Sequence, residues 1–336
     1  MTFMKTRNLT ILVAVLAVLI VIYIIQQLSP GKKSVSESLI EIFPDFNSSS
    51  VSQIKVYKQD YPDSGLSFAK KDGIWLVASY FNAPAKENDI DKLLTDINTL
   101  QGEIRSVNAD LHDDFEIADN TALHLEFSGP DSTIFARLLI GKGVPQASRS
   151  SFIRKYNTDT VYKANENFLS RFAVWNAEPA KKMPAKRWAD MKMTDADKNT
   201  VSAIEIKAKR MTYSFEKVEE PAEDTTLPPK SVWKQIKPKK GEILKDKDIQ
   251  TILNRLTKLN ANEIVGNEIL SEHGLTKPKY SAGFTTEDGQ STKINFGAVA
   301  DTTSEARYAN VEGKPFVYKA AKYNYESIFV NPFKKD

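Results

Sequence analysis

The chain repeats its own order of sequence patterns once, at an interval of about 150 residues. "VSQIKVY", from Val51, alternates apolar and polar residues as a half-buried strand does, and "VSAIEIK", from Val201, does the same. "GIWLVA" then corresponds to "SVWKQI", "DIDKLLTDINTL" to "DIQTILNRLTKL", and "TVYKANENFLSRF" to "FVYKAAKYNYESIF". A repeat of this kind indicates that one folded module occurs twice.

Both modules are predicted to contain several strands and one amphipathic helix. The apolar residues at helical spacing are Ile90, Leu93, Leu94, Ile97 and Leu100 in the first helix, and Ile249, Ile252, Leu253, Leu256 and Leu259 in the second. Short connections and the hairpin signal "KKDG" favour antiparallel pairing. We predict an α+β fold: an N-terminal transmembrane helix followed by two tandem similar modules, each a mainly antiparallel sheet packed with an amphipathic helix.

The transmembrane prediction depends on the run from Leu9 to Leu28, which contains no charged residue. As a helix, about 20 residues span the roughly 30 Å apolar core of a bilayer. The run is too long for a cleaved signal peptide and no A-x-A site follows it, so it is predicted to be an uncleaved signal anchor. Lys5 and Arg7 precede it, but Lys32 and Lys33 follow it, so the charge bias is slight. A short tail before a first apolar segment usually stays inside while the long domain after it is translocated, so the amino terminus is expected to be cytoplasmic.

The predicted organisation has five parts. They are a cytoplasmic tail and transmembrane anchor (1–28), a tether (29–50), a first α+β module (51–175), a connector (176–199) and a second α+β module (200–336). The tether contains "IEIFPDF", which is a candidate docking segment. The connector is rich in Lys, Pro and Met, and we expect it to pack against the modules with Trp188 inserted.

Composition excludes several classes of function. The 46 basic and 43 acidic residues leave a formal charge of +3, which is too small to draw in nucleic acid. The chain has no cysteine, which excludes disulfides, thiolate metal sites and a cysteine nucleophile. The pattern G-x-x-x-x-G-K-[ST] is missing from "LLIGKGVPQASRS", so this glycine-lysine turn is not expected to bind ATP.

Few residues are candidates for chemistry. His124 and Glu126 are two apart on a predicted strand and so face the same way, but a zinc site needs further ligands. We expect a solvated strand face there, aligned with Ala282 and Phe284 of the second module. With three histidines and no Gly-x-Ser-x-Gly elbow, a serine hydrolase is not expected. The predicted catalytic, cofactor-binding and metal residues are therefore none.

Aromatic residues supply the remaining candidates. Trp75 and Trp233 occupy equivalent strands and are predicted to anchor the module cores by covering the helix stripe, with ligand stacking as the alternative. Near the carboxyl end, four aromatic residues form a candidate interaction surface, although a short amphipathic closing helix explains most of them. They are Tyr323, Tyr325, Phe329 and Phe333.

Several phrases together resemble one bacterial family. These are the anchor "MKTRNLTILVAVLAVL", the strands "GIWLV" and "SVWKQI", the helix "DIDKLLTDINTL", "HGLTKP", the strands ending in Gly ("LLIG", "NFG") and the pair "TVYKAN"/"FVYKAA". Their order resembles the family called domain of unknown function 4340, over nearly the whole chain. One departure is "DFEIADN", which stands in the first copy where the second has "HGLTKP".

The resemblance implies a single-pass protein anchored in the bacterial inner membrane, with its C-terminal modules in the periplasm. Such proteins are often encoded beside the ATPase and permease of an ABC-2-type transporter and a gliding-motility-like auxiliary protein. The family has no established catalytic residues, so none are carried over. We expect a non-enzymatic auxiliary subunit of an ABC-type transport assembly, held in the bilayer by one helix and contacting a permease, an auxiliary subunit or the cargo. The alternatives are a module that binds an envelope polymer or lipid in an apolar groove between sheet and helix, and an enzyme of unrecognised mechanism.

Overall fold

The computed structural model describes residues 15–20, 39–174, 181–221, 229–238, 242–243 and 246–329. The helices are α1 (15–20), α2 (Glu87–Asn98), α3 (Phe168–Arg171), α4 (Asp246–Thr257) and α5 (Lys322–Phe329). The first ten strands are β1 (Ile40–Glu41), β2 (Gln53–Lys58), β3 (Tyr61–Lys71), β4 (Ile74–Val77), β5 (Ala83–Pro84), β6 (Gln101–Ser106), β7 (Leu123–Ser128), β8 (Ile134–Val144), β9 (Ala147–Lys155) and β10 (Val161–Ala164). The other nine are β11 (Val201–Ala208), β12 (Met211–Glu220), β13 (Lys230–Lys237), β14 (Glu242–Ile243), β15 (Glu263–Gly266), β16 (Tyr280–Thr286), β17 (Ser291–Asp301), β18 (Ala306–Val311) and β19 (Val317–Ala320).

The strands form two antiparallel sheets, which confirms the predicted antiparallel architecture. The first has the order β1-β6-β10-β9-β8-β7-β2-β3-β4-β5, and the second β15-β19-β18-β17-β16-β11-β12-β13-β14. Apart from β1, the two orders correspond strand for strand. Even an ion pair recurs: β10 and β19 both read VYKA, and their lysines lie 3.5 Å and 3.6 Å from Glu103 and Glu263 respectively.

Local sequence explains the hairpin between β3 and β4. Asp72 and Gly73 both have positive φ, at 50° and 83°. A two-residue type I′ turn requires positive φ at both central positions, and Asp-Gly is a favoured pair for it. The predicted turn in "KKDG" is therefore confirmed.

One helix covers the inner face of each sheet. In α2, four apolar residues of the predicted stripe are buried. The negative charges of Glu87 and Asp89, in the first turn, stabilise the helix by interacting with the positive end of its dipole. The buried residues of α4 repeat the pattern with Ile249, Ile252, Leu253 and Leu256. The side chains of both helices and both sheets belong to one continuous hydrophobic core, which also includes Trp75 and Trp233.

The connector joins the two sheets at their edges. Ala189 pairs with Ala85 beside β5, and the next residue, Asp190, donates its N–H to the carbonyl of Pro84 at 2.8 Å. Immediately afterwards, Lys192 pairs with Asn260, which precedes β15. Four consecutive residues, 189–192, therefore pass from the edge of one sheet to the edge of the other.

Trp188 fixes the connector to the first sheet. It is 4% exposed, and its ring lies 5.2 Å from that of Phe68 and 5.5 Å from that of Phe172, measured between centroids. The prediction that Trp188 inserts into the core is confirmed.

The docking segment of the tether is also confirmed. Ile40–Glu41 pairs antiparallel with β6, and Ile42 and Phe46 are buried. The ring of Phe46 meets that of Phe127 edge-on at 5.5 Å. The chain therefore joins the first sheet about ten residues before Val51, where the first module was predicted to begin.

The predicted transmembrane helix over Leu9–Leu28 is not found in the described residues. Only residues 15–20 of that run are described, and they form α1, which at 1.5 Å per residue is about 9 Å long. Residues 9–14 and 21–28 lie outside the described residues. Among the helices that the structure describes, none has the length and apolar character to cross a membrane.

Candidate functional site

The outer face of the first sheet is not solvated at His124, and the sequence-based expectation was wrong there. His124 is fully buried. The segment after β6, residues 107–122, folds back over this face, where Ile117 and Ala122 join Leu139, Phe152 and Val161 in a second, smaller apolar cluster. This outward-facing strand position is buried because the segment that precedes the strand folds back over it.

Both ring nitrogens of His124 are engaged. Nε2 donates to the carbonyl of Asp119 at 2.6 Å, and Nδ1 accepts from the guanidinium of Arg137 at 3.1 Å. Burial is the main cause that lowers the pKa of His124, so the imidazole stays neutral. Arg137 also lies 3.7 Å from Glu126. In the part of the chain that the structure describes, no group of three His, Cys, Asp or Glu residues is placed to hold a metal ion.

The alignment of His124 and Glu126 with Ala282 and Phe284 was wrong by one residue. Ile54 pairs with Phe127, and the equivalent Ile204 pairs with Phe284. His124 and Glu126 therefore correspond to Ser281 and Gly283. Side chains alternate between the two faces of a strand. The one-residue error therefore aligned His124 and Glu126, on the outer face, with Ala282 and Phe284, on the inner face.

The glycines that end "LLIG" and "NFG", Gly141 and Gly297, occupy equivalent positions where a backbone segment passes too close for a side chain. A Cβ on Gly141 would lie 2.2 Å from the carbonyl oxygen of Phe115, and one on Gly297 would lie 2.0 Å from that of His273. In each half, the segment that folds back over the sheet passes close above the glycine. Nδ1 of His273 accepts a hydrogen bond from the N–H of Leu270 at 3.0 Å, which stabilises the turn that begins there.

The C-terminal aromatic residues lie mostly against the second sheet. Phe329 meets Tyr280 and Phe296 edge-on at 5.4 Å, and the hydroxyl of Tyr325 donates to the carbonyl of Glu305 at 2.7 Å. Tyr323 is 63% exposed. Phe333 lies outside the described residues. Of the three predicted surface residues that the structure describes, Tyr323 is thus the one that presents its ring to solvent.

Trp75 lies beside a groove of about 720 Å³ that follows β5, the start of α2 and the connector. Trp75 itself is 5% exposed and Trp233 is 8% exposed. Both indoles contribute to the hydrophobic core, and in addition part of Trp75 borders this groove.

A polar pocket next to this groove is the candidate functional site, and we call it the connector pocket. Its volume is about 330 Å³. Three separate segments form it: the polar side of α2, the residues at the start of α3, and the short 3-10 helix Ala185–Trp188 of the connector. Its lining residues are Asp89, Lys92, Glu166, Asn167, Ser170, Arg171, Arg187 and Trp188.

Two N–H donors of the connector pocket are buried without a hydrogen-bond partner among the described residues. They are Nη1 of Arg171 and Nε1 of Trp188. The other terminal nitrogen of Arg171, Nη2, pairs with the carboxylate of Asp96 and lies 3.8 Å from that of Glu166. Buried donors in proteins are nearly always paired, so these two are exceptions, and neither N–H faces the open space of the pocket.

Charges of both signs surround these donors. Lys92, Arg171 and Arg187 are cationic, whereas Asp89 and Glu166 carry carboxylates. Burial raises the pKa of Glu166 above its ordinary value, and the charge of Asp96 adds to this, while Arg171 and Lys92 oppose it. The pocket can therefore accept hydrogen bonds as well as donate them.

The second half has different side chains at the equivalent positions. Where Asp96 of α2 meets Arg171 of α3, Arg255 of α4 donates to Ser327 of α5 at 3.0 Å. Arg255 also donates to Asn324 at 3.0 Å. The arginine thus lies on the short helix α3 in the first half and on the longer helix α4 in the second half. The arrangement of polar side chains in the connector pocket is therefore that of the first half.

Sequence analysis did not find the connector pocket. Its residues come from positions 89–92, 166–171 and 187–188, and no spacing rule relates such distant segments. The signal that did exist was the large apolar Trp188 in a connector otherwise rich in Lys and Pro, which indicated packing rather than a site.

The fold and the pocket define a protein with two equivalent antiparallel sheets, fused by an ordered connector that completes a polar site. Comparison with known families gives the family itself: residues 75–278, more than half of the chain, match the model described as Domain of unknown function (DUF4340). The chain belongs to this family, as its motifs predicted. No curated protein and no solved structure matches the chain.

Proposed function

We propose that this chain is a membrane-anchored, extracytoplasmic, non-enzymatic auxiliary subunit of an ABC-type transport assembly, which acts by contacting a partner protein or the cargo. The observation that carries the anchoring is the exposure of α1. Residues 15–20 are all exposed, including Leu16 and Leu19 at 56% each. An apolar helix that is uncovered on every face needs a nonpolar environment, and a bilayer supplies one.

The docked β1 supports a short distance between the two sheets and the membrane. Ile40 is fixed to β6, and the apolar run ends at Leu28, twelve residues earlier. A fully extended chain of twelve residues spans at most about 43 Å. The first sheet is then held near the membrane surface, where a permease or its auxiliary protein is within reach.

Contact with a partner or cargo, rather than catalysis, agrees with the state of the ionisable groups. The best candidate for general base chemistry, His124, is buried, and both of its nitrogens are engaged. The connector pocket offers donors and charges but no histidine, serine–histidine pair or cysteine in its lining. The sequence resemblance is what points to an ABC-type transporter as the partner.

Purification of the tagged full chain from native membranes tests this proposal. We expect it in the membrane fraction after an alkaline wash, together with transporter subunits. The variant with Leu16→Arg and Leu19→Arg should leave the membrane, because each charge at the centre of a spanning helix costs about 2.5–3.5 kcal/mol. The matched control, Leu16→Ile with Leu19→Ile, should stay. Recovery of the wild-type chain from membranes without any transporter subunit would refute the assembly role.

The second candidate function is binding of an envelope polymer or lipid. The apolar groove that it was expected to use, between sheet and helix, is filled by the buried stripe of α2, where Ile90, Leu93 and Ile97 are fully buried. The connector pocket and the adjoining groove of about 720 Å³ favour a polar polymer over a lipid. Mass spectrometry of the mildly purified protein discriminates, since a polymer fragment should copurify.

A further inference from the structure

We infer that copies of this chain join head to tail: the outer edge of the first half binds the outer edge of the second half of another copy. The contact repeats, between two chains, the junction that joins the two halves within one chain. The inference goes beyond the proposed accessory role and does not require it, because both edges belong to the folded halves themselves.

The tether and the connector occupy equivalent places, each beside the strand that follows the long helix. In the second half, Met193 of the connector donates its N–H to the carbonyl of Leu259 at 2.9 Å. In the first half, Ile42 of the tether donates its N–H to the carbonyl of Leu100, also at 2.9 Å. Leu100 and Leu259 are the last residues of the two helix stripes. The first half therefore presents the same kind of edge that the connector joins in the second.

One position on this edge is covered in the second half and open in the first. Ile104 and Ile264 are equivalent, since they pair with Tyr162 and Tyr318, the tyrosines of the two VYKA strands. Ile264 is 1% exposed, and the hydroxyl of Tyr80 in the first half hydrogen-bonds to its backbone. Ile104 is 47% exposed. The first half thus exposes an isoleucine at the position that the internal junction buries.

Ile104 belongs to an exposed apolar edge. Leu39 and Ile40, at the start of the docked tether, are 55% and 39% exposed. Ile40 pairs with Gly102, which lies two residues from Ile104 on β6, so the three large side chains are grouped at the end of the ten-stranded sheet. An exposed apolar group of this kind at a sheet edge indicates a contact with another molecule.

Each chain also carries the edge that fits this one. Within the chain, the connector and the second half adjoin β5. The equivalent of β5 is β14, because each pairs with the strand that carries the core tryptophan, Trp75 in β4 and Trp233 in β13. β14 is the outermost strand of the nine-stranded sheet. A second copy therefore supplies the counterpart of β5, which is why we assign the exposed edge to a copy of this chain.

Charges at the two edges are complementary. Lys192 and Asn88 line one groove at the internal junction. Their equivalents are Glu41, which pairs with Gln101 as Lys192 pairs with Asn260, and Lys247, the second residue of α4 as Asn88 is of α2. Both equivalents are exposed and they carry opposite charges, so the contact between copies should be favoured electrostatically.

The contact between copies should be weaker than the junction within the chain. Pro238 stands at the position equivalent to Tyr80, counted from the core tryptophans, and it has no hydroxyl to bind a backbone. The surfaces that meet are different on the two copies, so the contact does not close on itself in a pair. Such contacts extend into a ring or an open row.

Cysteine crosslinking tests this arrangement, because the chain has no cysteine of its own. Within the chain, Asp190 donates its N–H to the carbonyl of Pro84 at 2.8 Å. The equivalent residues are Leu39 and Ile243, so Leu39→Cys and Ile243→Cys should lie on adjoining strands of two copies, within reach of a disulfide. The full chain is oxidised with copper phenanthroline in freshly broken cells. Membrane and supernatant fractions are both analysed, which makes the result independent of anchoring.

The variant that carries both cysteines should give a ladder of dimers, trimers and longer species on non-reducing gels. Co-expression of the two single variants should give dimers and nothing longer, and each single variant alone should remain monomeric. The matched control is Leu39→Cys combined with Val299→Cys, because Val299 is exposed but lies outside both edges. That control should give no ladder.

Substitutions on the edge test its chemistry in the double-cysteine background. Ile104→Asp should reduce the crosslinked fraction about tenfold or more, because the contact would bury an unpaired carboxylate. Ile134→Asp is the control, since Ile134 is 50% exposed on β8 of the same sheet. If Ile104→Asp alters the folding of the chain, a charge reversal replaces it: Glu41→Lys should reduce the ladder, and its combination with Lys247→Glu should restore it.

Three results would overturn the inference. The first is the lack of a ladder from the double-cysteine variant, which would leave a different protein or the lipid surface as the cover of this edge. The second is a dimer from Leu39→Cys alone in the same yield, which would mean that two first halves meet. The third is an equal effect of Ile104→Asp and Ile134→Asp. Recovery or loss of a transporter changes none of these readouts, so they are separate from failure of the proposed function.

Discussion

The hydroxyl of Tyr80 forms hydrogen bonds with both backbone groups of Ile264, as a neighbouring strand would. It donates to the carbonyl oxygen of Ile264 at 2.7 Å and accepts from its N–H at 3.0 Å. Ile264 lies on β15, the last strand of the second sheet, and is 1% exposed. A side chain that follows β4 of the first sheet thus satisfies two backbone groups at the edge of the second.

Removal of this hydroxyl should weaken the contact between the halves. Tyr80→Phe leaves a buried N–H and a buried C=O unpaired, and we expect a loss of about 1–3 kcal/mol in the free energy of unfolding, measured with urea. Tyr323→Phe is the control, since Tyr323 is 63% exposed, and its change should stay within about 0.5 kcal/mol. Equal effects of the two variants would contradict the role of Tyr80.

The glycines beneath the folded-back segments should not tolerate alanine. Gly141→Ala and Gly297→Ala place a Cβ 2.2 Å and 2.0 Å from a backbone oxygen, so each should cost about 1–3 kcal/mol or more. Gly143→Ala, in the same strand as Gly141, is the control because the nearest atom to its Cβ is 4.0 Å away. Thermal unfolding measures all three, and a control as unstable as Gly141→Ala would disprove the steric explanation.

Stability should fall in alkali because of Tyr318. Burial raises the pKa of Tyr318 from 10.0 to about 12, and the charge of Asp190 adds to this. The folded state then keeps a proton that the unfolded state loses above about pH 10, so stability decreases from there to about pH 12, by up to roughly 3 kcal/mol.

Urea unfolding between about pH 9 and about pH 11.5 measures this dependence. Tyr318→Phe should reduce the slope, whereas Tyr162→Phe, the equivalent change in β10 of the first sheet, should retain it. The same slope in Tyr318→Phe as in the wild type would rule out Tyr318 as the titrating group.

Two substitutions of Trp188 should differ strongly. Trp188→Ala removes a buried indole that contacts Phe68 and Phe172, at a cost of about 3–5 kcal/mol. Trp188→Phe keeps an aromatic ring and loses an N–H that has no partner in the described chain, so the cost should be no more than about 1.5 kcal/mol. Calorimetry measures both losses, and similar values for the two variants would contradict a role for Trp188 through the packing of its ring.

Local patterns predicted the parts of the fold that depend on local physics. The stripe from Ile90 to Ile97 predicted α2 because a helix returns every third or fourth residue to the same face. Asp72 and Gly73 predicted a turn because both accept positive φ. Trp188 was predicted to be buried because a large indole is costly to expose.

The features that depend on how separate segments fold onto each other were not predictable in this way. His124 is buried by residues 107–122, and nothing in its strand indicates such a cover. The register error at Ala282 arose because both faces of β16 carry small residues, so the alternation that would fix the alignment is weak. The connector pocket combines three segments, and only the folded chain brings Glu166 beside Trp188.

The course of the connector also limits how other chains can join this protein. An exposed outer strand invites pairing with an extended peptide or with another molecule, which leads to strand addition or aggregation. Ala189 and Asp190 already occupy the hydrogen-bonding positions beside Ala85 and Pro84. The connector therefore blocks pairing at β5, and a partner that adds a strand to the ten-stranded sheet must approach it from the β1 side.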